Sequence, residues 1–220
     1  MSATDTEVVI YGPTISTYGR IVAVAAEEAG ASWRNVPTPA GSKLNRQQHP
    51  FLKTPAVEVG GDLLYESVAI CQLIDDRYNA GALQPDDALE RARMAQWISV
   101  ANAYVFPTSE HGLVIPRLIL PAMGQPPRPD IVERSIREIA YQLTVVSLRL
   151  QQAEYLAGSR FSLADVFMAC CVIPISMTPE GARVLSQLLD LSRWFDTVCS
   201  RGSIEATRWP DEAERPTSVP

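Results

Sequence analysis

The chain is short of lysine, histidine and cysteine, and each shortage excludes something. It has 220 residues, a net charge of −6, and only Lys43 and Lys53 as lysines. No run of basic residues occurs anywhere. A nucleic-acid binder needs a basic stripe to displace counterions from phosphate, so no nucleic-acid partner is expected. The two histidines and the four cysteines, Cys71, Cys170, Cys171 and Cys199, form neither a CxxC pair nor a paired-His spacing. That leaves no ligand set for a tetrahedral metal site, and no metal is expected. Each cysteine falls in an apolar helical pattern and reads as a buried thiol of a reducing compartment. No apolar stretch approaches the roughly 20 residues of a membrane span. The opening MSATDTE is polar and acidic, unlike a secretory or transit segment. The expectation is a cytoplasmic protein with no membrane partner. Disorder is excluded too, since 46% of residues are hydrophobic and 20% charged.

What is present changes character near residue 80. Glu7–Tyr11 is a short β-rich run closed by Gly12 and Pro13. Thr14 and Ser16 then offer N-cap oxygens to a helix carrying Ile21, Val22, Ala25, Ala26 and Ala29, which Gly30 ends. Residues 33–36 read as a second strand, and 37–52, with Pro37, Pro39, Gly41 and Pro50, as an irregular segment holding at most a short helix. Residues 55–59 and 62–65 flank Gly60-Gly61, a pair that supplies the positive φ of a tight hairpin. Glu66-Ser67 opens a helix with Ile70, Ile74 and Tyr78. Strand–helix–strand implies a parallel pair and the hairpin adds antiparallel strands, giving a small mixed sheet.

Beyond residue 86 the chain reads as helical throughout. A helix over 87–115 is interrupted at Pro107. A second, over 130–156, carries the seam Val132, Ile136, Ile139, Leu143, Val146, Leu150 and Ala153, and Gly158 closes it. Ser162–Asp165 reads as a capping-box start to the apolar run 166–175, a core helix. A last helix carries Leu191, Trp194, Phe195 and Val198. The domains are then 1–80, a mixed α/β unit, and 87–208, an all-helical unit, with 209–220 a loose tail.

This organisation resembles the cytosolic glutathione transferases. Lys53–Val57, a hairpin, then Glu66–Ile70 looks like that family's cis-proline strand and Glu/Gln-Ser helix start. Phe161–Asp165 looks like its capping box, and Trp194-Phe195 sits where its final helix carries an aromatic pair. Leu52-Lys53-Thr54 stands where the family commonly has Gly-Gln-Val. The segment Thr14–Thr17 most resembles the bacterial and phi-like groups that use a serine or threonine. The resemblance implies a thioredoxin-like N-terminal domain, an all-helical C-terminal domain, and glutathione as co-substrate without a metal.

It also implies roles. A free thiol ionises near pH 8.5, so glutathione needs a donor to its sulfur at neutral pH. A hydroxyl at a helix N-terminus favours the anion. Ser16 is the expected donor, Thr17 the next, with Thr14, Tyr11 and Tyr18 behind. No cysteine stands here, which argues against a disulfide reductase. A cis bond at Thr54-Pro55 would present the Thr54 backbone to the cysteinyl unit of glutathione. Glu66 and Ser67 would take the γ-glutamyl amine and carboxylate. Lys43 and Lys53, with Arg46 and Gln47 behind, would take the glycine carboxylate. Tyr104, Phe106, His111, Met168 and Val172 would line a pocket for a small hydrophobic electrophile. Ordinary core packing is the plain alternative for each of these five. A homodimer is expected, residues 62–78 and 87–104 offering mixed faces with Arg77, Arg91 and Arg93 against Asp75 and Asp76. Three other readings stay open. They are a non-catalytic binder of glutathione or apolar ligands, a glutathione-dependent isomerase, ether-cleaving enzyme or peroxidase, and an interaction module that kept the fold.

Overall fold

The computed structural model describes residues 7–209 and Glu212. These fall into two compact units, 7–85 together with 201–209 and Glu212, and 86–200.

The first unit is built on the order β1 (Glu7–Gly12), α1 (Thr17–Glu28), β2 (Ser32–Pro37), α2 (Lys43–Gln48), β3 (Ala56–Val59), β4 (Asp62–Leu64), α3 (Ser67–Asn79). The strands lie in the order β2-β1-β3-β4. β1 runs parallel to β2 and antiparallel to β3, with Val8 opposite Trp33 and Ile10 opposite Val57. Val8, Val9 and Ile10 are all buried, as a strand covered on both faces requires. The β3–β4 turn is the Gly60-Gly61 pair at φ 60° and 89°, conformations that a Cβ disfavours. α1 buries Ile21, Val22 and Val24 with Ala23, Ala25 and Ala26.

The C-terminal residues 201–209 and Glu212 belong to this unit, not to the helical one or to a loose tail. α11 (Gly202–Ala206) follows Arg201, whose guanidinium pairs with Glu28. Glu212 is buried against Arg20. The remainder of the expected tail lies outside the described residues. Asp75, expected on a subunit face, is instead internal. Its carboxylate accepts from Asn79 Nδ2 at 2.9 Å, from Leu83 N–H at 3.1 Å and from Gln84 Nε2 at 3.1 Å, closing the end of α3.

The second unit begins with α4 (Ala88–Val100), capped by Asp87, which accepts from Leu89 N–H and Glu90 N–H. The expected interruption at Pro107 does not occur. The chain stays helical through a π-helical stretch Ala101–Val105, α5 (Phe106–Ser109), a second π-helical stretch Glu110–Ile119 and α6 (Leu120–Ala122). A proline ring collides with the carbonyl four residues back in a regular α-turn. Widened turns beside Pro107 and around Pro116 take up that conflict without ending the helix.

α7 (Pro129–Leu150) buries Val132, Ile139, Leu143, Val146 and Leu150 of the expected seam, while Ile136 is half-buried and Ala153 is half-buried beyond the helix end. It stops six residues short of 156. Residues past Leu150 are held elsewhere: Leu156 O accepts from Arg149 Nε, and Leu156 N–H donates to Asp165. α8 (Leu163–Ser176) is buried from Leu163 to Ile175 and starts with the Ser162–Asp165 capping box. α9 (Pro179–Ser186) has no counterpart in the sequence reading, while α10 (Leu189–Cys199) buries Leu191, Trp194, Phe195 and Val198 as expected.

Candidate active site

Two loops and two helix starts of the first unit carry the expected binding residues. β1 ends at Gly12, and a turn in which Ser16 N–H donates to Pro13 O delivers Ser16 as the N-cap of α1. Ser16 Oγ accepts from Gly19 N–H at 3.1 Å. That bond uses a lone pair and leaves the hydroxyl proton for another acceptor. Ser16 is half-buried and Thr14 exposed, whereas Thr17 is only 7% exposed. Tyr11 OH donates to Glu58 at 3.2 Å. Burial and the Glu58 carboxylate push its phenol above the ordinary value, so Tyr11 stays protonated and committed to β3.

The Thr54-Pro55 bond is cis and lies against the end of β1. A Cβ on Gly12 would stand 3.4 Å from Thr54 Cβ, so the cis segment and the turn leading to Ser16 are neighbours. Asn45, which the sequence reading passed over, ties this segment to α2. Its Nδ2 donates to Lys53 O at 2.8 Å while its Oδ1 accepts from Gly41 N–H at 2.9 Å. Lys43, the first residue of α2, and Lys53 are thereby brought to one corner of the unit, both exposed.

His49 was expected only as a turn residue. It does serve the turn, its Nδ1 accepting from Phe51 N–H, and its ring lies 5.0 Å from that of Tyr65. Burial pushes His49 below its ordinary value; the Glu66 carboxylate pulls it up and the Lys53 ammonium pushes it down. Glu66 and Lys53 therefore both stand close enough to His49 for their charges to act on it. A buried His between Gln48 and Pro50 is the signal that could have marked this junction.

Glu66 sits at φ 71°, in the left-handed region, with an exposed side chain and no capping bond of its own. A non-glycine residue held there costs on the order of 1–3 kcal/mol, and such strain gathers at ligand clamps. The first turn of α3 holds no acidic residue, so its leading N–H groups, beginning at Ser67, face an uncapped end. A helix end of this kind is suited to a carboxylate.

The five residues expected to meet an electrophile belong to the helical unit and divide in two. Tyr104 is 58% exposed, His111 is exposed and Phe106 half-buried. Met168 and Val172 are fully buried in α8 and present no surface, so they act as core. Beside His111, burial pushes the Glu110 carboxyl above its ordinary value. Cys71, Cys170 and Cys171 are buried thiols as expected, whereas Cys199, at the end of α10, is only half-buried. Among the described residues no three His, Cys, Asp or Glu side chains gather as a metal site, and no helix is long and apolar enough to cross a membrane.

The comparisons with known proteins agree across both units. Residues 10–84 match the family model for the N-terminal domain of glutathione S-transferase, and residues 112–202 the model for its C-terminal domain. The chain is 30% identical to a probable glutathione S-transferase GSTF2 of Oryza sativa subsp. japonica, an alignment covering 88% of this chain and 92% of that one. It is 27% identical to glutathione S-transferase 3 of Zea mays over 90% of this chain and 91% of the relative. Among solved structures it is similar to a glutathione S-transferase I bound with lactoylglutathione, at TM-score 0.83 and 26% identity, covering 91% of this chain and 97% of the other. A maize glutathione S-transferase I with an atrazine glutathione conjugate gives TM-score 0.82 at 26% identity, with 91% and 95% covered.

Proposed function

The chain belongs to the glutathione S-transferase family, and from that premise we propose that Ser16 activates the glutathione thiol for attack on a small hydrophobic electrophile. The observation that carries this is the Ser16 hydroxyl: half-buried, at the start of a twelve-residue helix, with its proton left over from the Gly19 bond. It donates to the sulfur, the thiol gives up its proton to solvent, and the thiolate forms a new S–C bond as the electrophile's leaving group departs or its double bond is polarised. The helix end and the hydroxyl both favour the anion.

The rest of glutathione follows the first unit's chemistry. Thr54 offers its backbone to the cysteinyl unit beside the cis bond. The uncapped start of α3, with the Ser67 hydroxyl, takes the γ-glutamyl carboxylate, and the exposed Glu66 takes the amine. Lys43 and Lys53 take the glycine carboxylate. Tyr104, Phe106 and His111 of the helical unit meet the electrophile. The compartment we assign is the cytoplasm, where glutathione and reduced cysteines coexist.

Immobilised glutathione and an activated aryl halide test this together. The wild-type chain is expected to be retained and to form the conjugate. Glu66→Ala and Ser67→Ala each remove a charge-assisted hydrogen bond, roughly 1.5–3 kcal/mol, so calorimetry should show affinity for glutathione about ten- to a hundredfold weaker. The fold should survive, since water satisfies an exposed helix end. Unchanged affinity in both would put the γ-glutamyl site elsewhere. Retention without turnover on a broad electrophile panel would leave a binder, and no retention an interaction module.

We also assign a two-fold homodimer. Its support is an apolar surface on the first unit made by Phe51, Leu52, Leu63 and Tyr65, with Phe51 68% exposed and its ring 6.2 Å from that of Tyr65. Sedimentation should give about 48 kDa, twice the 24.1 kDa of one chain. A 24 kDa species at micromolar concentration would sink the assignment, and Phe51→Asp should produce that species.

A further inference from the structure

α1 presents Ser16 at its front, and it is gripped at both ends by residues nearly two hundred positions away. At the front, Arg20 lies one turn behind Ser16, its N–H donating to Ser16 O at 2.9 Å. Its side chain is buried, and the guanidinium is bonded to the Glu212 carboxylate and to Ile204 O at 3.1 Å, with the Trp209 ring 5.2 Å from Arg20 Cζ. Glu212 also accepts from Trp209 N–H. At the rear, Glu28 receives Arg201 Nε and Nη2, both at 2.7 Å, together with the Ser203 hydroxyl. Between the two grips lie two helical turns, about 12 Å. α11 runs between the anchors, so residues 201–209 and Glu212 form a strap along α1.

We propose that Arg20 and Glu212 are positioning residues, which hold the first turn of α1, and with it the Ser16 hydroxyl, where it meets the glutathione thiol. The inference rests on the reading of Ser16 given above. The chemistry at the front is sensitive to position in a way that the rear is not. A hydroxyl shifted by about 1 Å from its acceptor loses most of its hold on developing charge. A helix tethered only at Glu28 can tilt about that point, and the tilt moves its N-cap farthest. Arg20 touches neither the thiol nor the electrophile in this account; it acts through the backbone of the turn that carries Ser16. A buried guanidinium is a costly device, since truncating either partner leaves a charge unpaired away from water. Its placement behind the reacting hydroxyl gives that cost a use. The strap lies within the glutathione-binding unit, so its effect falls on the thiol rather than on the electrophile.

The test compares the front grip with the rear one. Glutathione is bound to the full-length protein, and the ultraviolet absorbance of its thiolate is titrated. Glu212→Ala leaves the Arg20 charge unpaired, so the neutral pair Arg20→Met with Glu212→Ala is measured beside it. Both are expected to raise the bound-thiol pKa by about one unit, a tenfold smaller thiolate fraction below that pKa. kcat at pH 6 should fall about threefold, the thiolate loss being partly offset by higher nucleophilicity, and KM for glutathione should stay within about twofold. Glu28→Ala removes the more exposed ion pair at the rear; it should lower the melting temperature and leave the thiol pKa where it was. An unmoved titration in the neutral pair, or an equal rise in Glu28→Ala, overturns the proposal and makes the strap structural only. Ser16→Ala in the same series separates this inference from the one beneath it. If Ser16→Ala raises the pKa and the front-grip variants do not, only the positioning role fails. If Ser16→Ala raises nothing, the activation reading fails and takes this one with it.

Discussion

Replacing Ser16 by alanine is expected to raise the pKa of bound glutathione by about 1.5 units while changing its affinity little. Free thiols ionise near pH 8.5, and a bound value near 6.5 would represent about 2.7 kcal/mol of preference for the anion. One charge-assisted hydrogen bond supplies roughly 1.5–3 kcal/mol of that, and the start of α1 about 0.3–1. Alanine removes the first and keeps the second, hence the partial rise. At pH 6 the thiolate fraction would drop by about 25-fold. A thiolate of higher pKa is the better nucleophile, with a Brønsted slope of about 0.4–0.5, which returns roughly fivefold. The rate loss is therefore about fivefold at pH 6, small at pH 7, and reversed above about pH 8, where both proteins hold the anion and that of the alanine variant is the stronger nucleophile. That crossing separates activation from a general loss of activity. Ser16→Thr should keep the low pKa, and Thr17→Ala, which empties a buried position, should affect stability but not the titration. A rate deficit that persists unchanged to pH 9, or a titration that moves in Thr17→Ala and not in Ser16→Ala, would remove Ser16 from the role. The Ser16 hydroxyl also caps α1, so about 1 kcal/mol of stability should go with it, measurable by urea unfolding.

How legible all this was in the sequence depends on how local each cause is. The Gly60-Gly61 hairpin, the apolar β1 and the capping box at Ser162 need only neighbouring residues, and each stands where the pattern put it. The family pattern likewise brought Ser16, Pro55 and Glu66 into one unit, because their spacing along the chain carries the fold. Three features were not readable. A proline normally signals a break, yet the helix around Pro107 and Pro116 widens instead, because packing along the unit outweighs two lost donors. α7 ends at Leu150, and beyond it Leu156 N–H is held by Asp165, nine residues on; nothing in the seam itself marks that. The Arg20–Glu212 pair spans 192 positions, and the acidic, proline-containing stretch around Glu212 looks like a solvated tail until its partner is known. Asn45 and His49 lie between these cases. Both are polar residues inside an irregular segment, and such a segment near a binding site needs internal hydrogen bonds to hold its shape.

The largest stability effect is expected at Asp165, and it should leave glutathione binding untouched. The carboxylate is buried and receives four donors: Leu156 N–H at 3.0 Å, Ser162 N–H at 3.0 Å, the Ser162 hydroxyl at 2.9 Å and Trp194 Nε1 at 2.9 Å. It therefore ties the start of α8, the turn after α7 and the middle of α10 together. Asp165→Ala strands those donors away from water, and a buried unsatisfied donor costs about 1–3 kcal/mol. Even with partial relaxation, about 4 kcal/mol should be lost, a large part of the roughly 5–15 kcal/mol by which such proteins are stable. The melting temperature should drop by about 8–16 °C. Asp165→Asn keeps one carbonyl for Leu156 and Trp194 but turns its amide toward Ser162, so it should lose about half as much. The pH dependence has a definite sign. Burial lifts the Asp165 carboxyl from 3.8 to about 6, against the pull of its donors. A group whose folded value is raised contributes most below its unfolded value and loses that contribution as pH rises through the folded one. A shift of about two units is about 3 kcal/mol. The stability gap between wild type and Asp165→Asn should accordingly be widest near pH 4 and narrow by pH 7, because only the wild type carries this titration. Urea unfolding of both proteins at four values between pH 4 and 7.5 reads the gap directly. A gap that stays constant would mean that the four donors hold the carboxylate ionised throughout, and that its pairing outweighs its burial. Since the residues assigned to glutathione all lie in the other unit, calorimetry on the folded variant at low temperature should return the wild-type affinity.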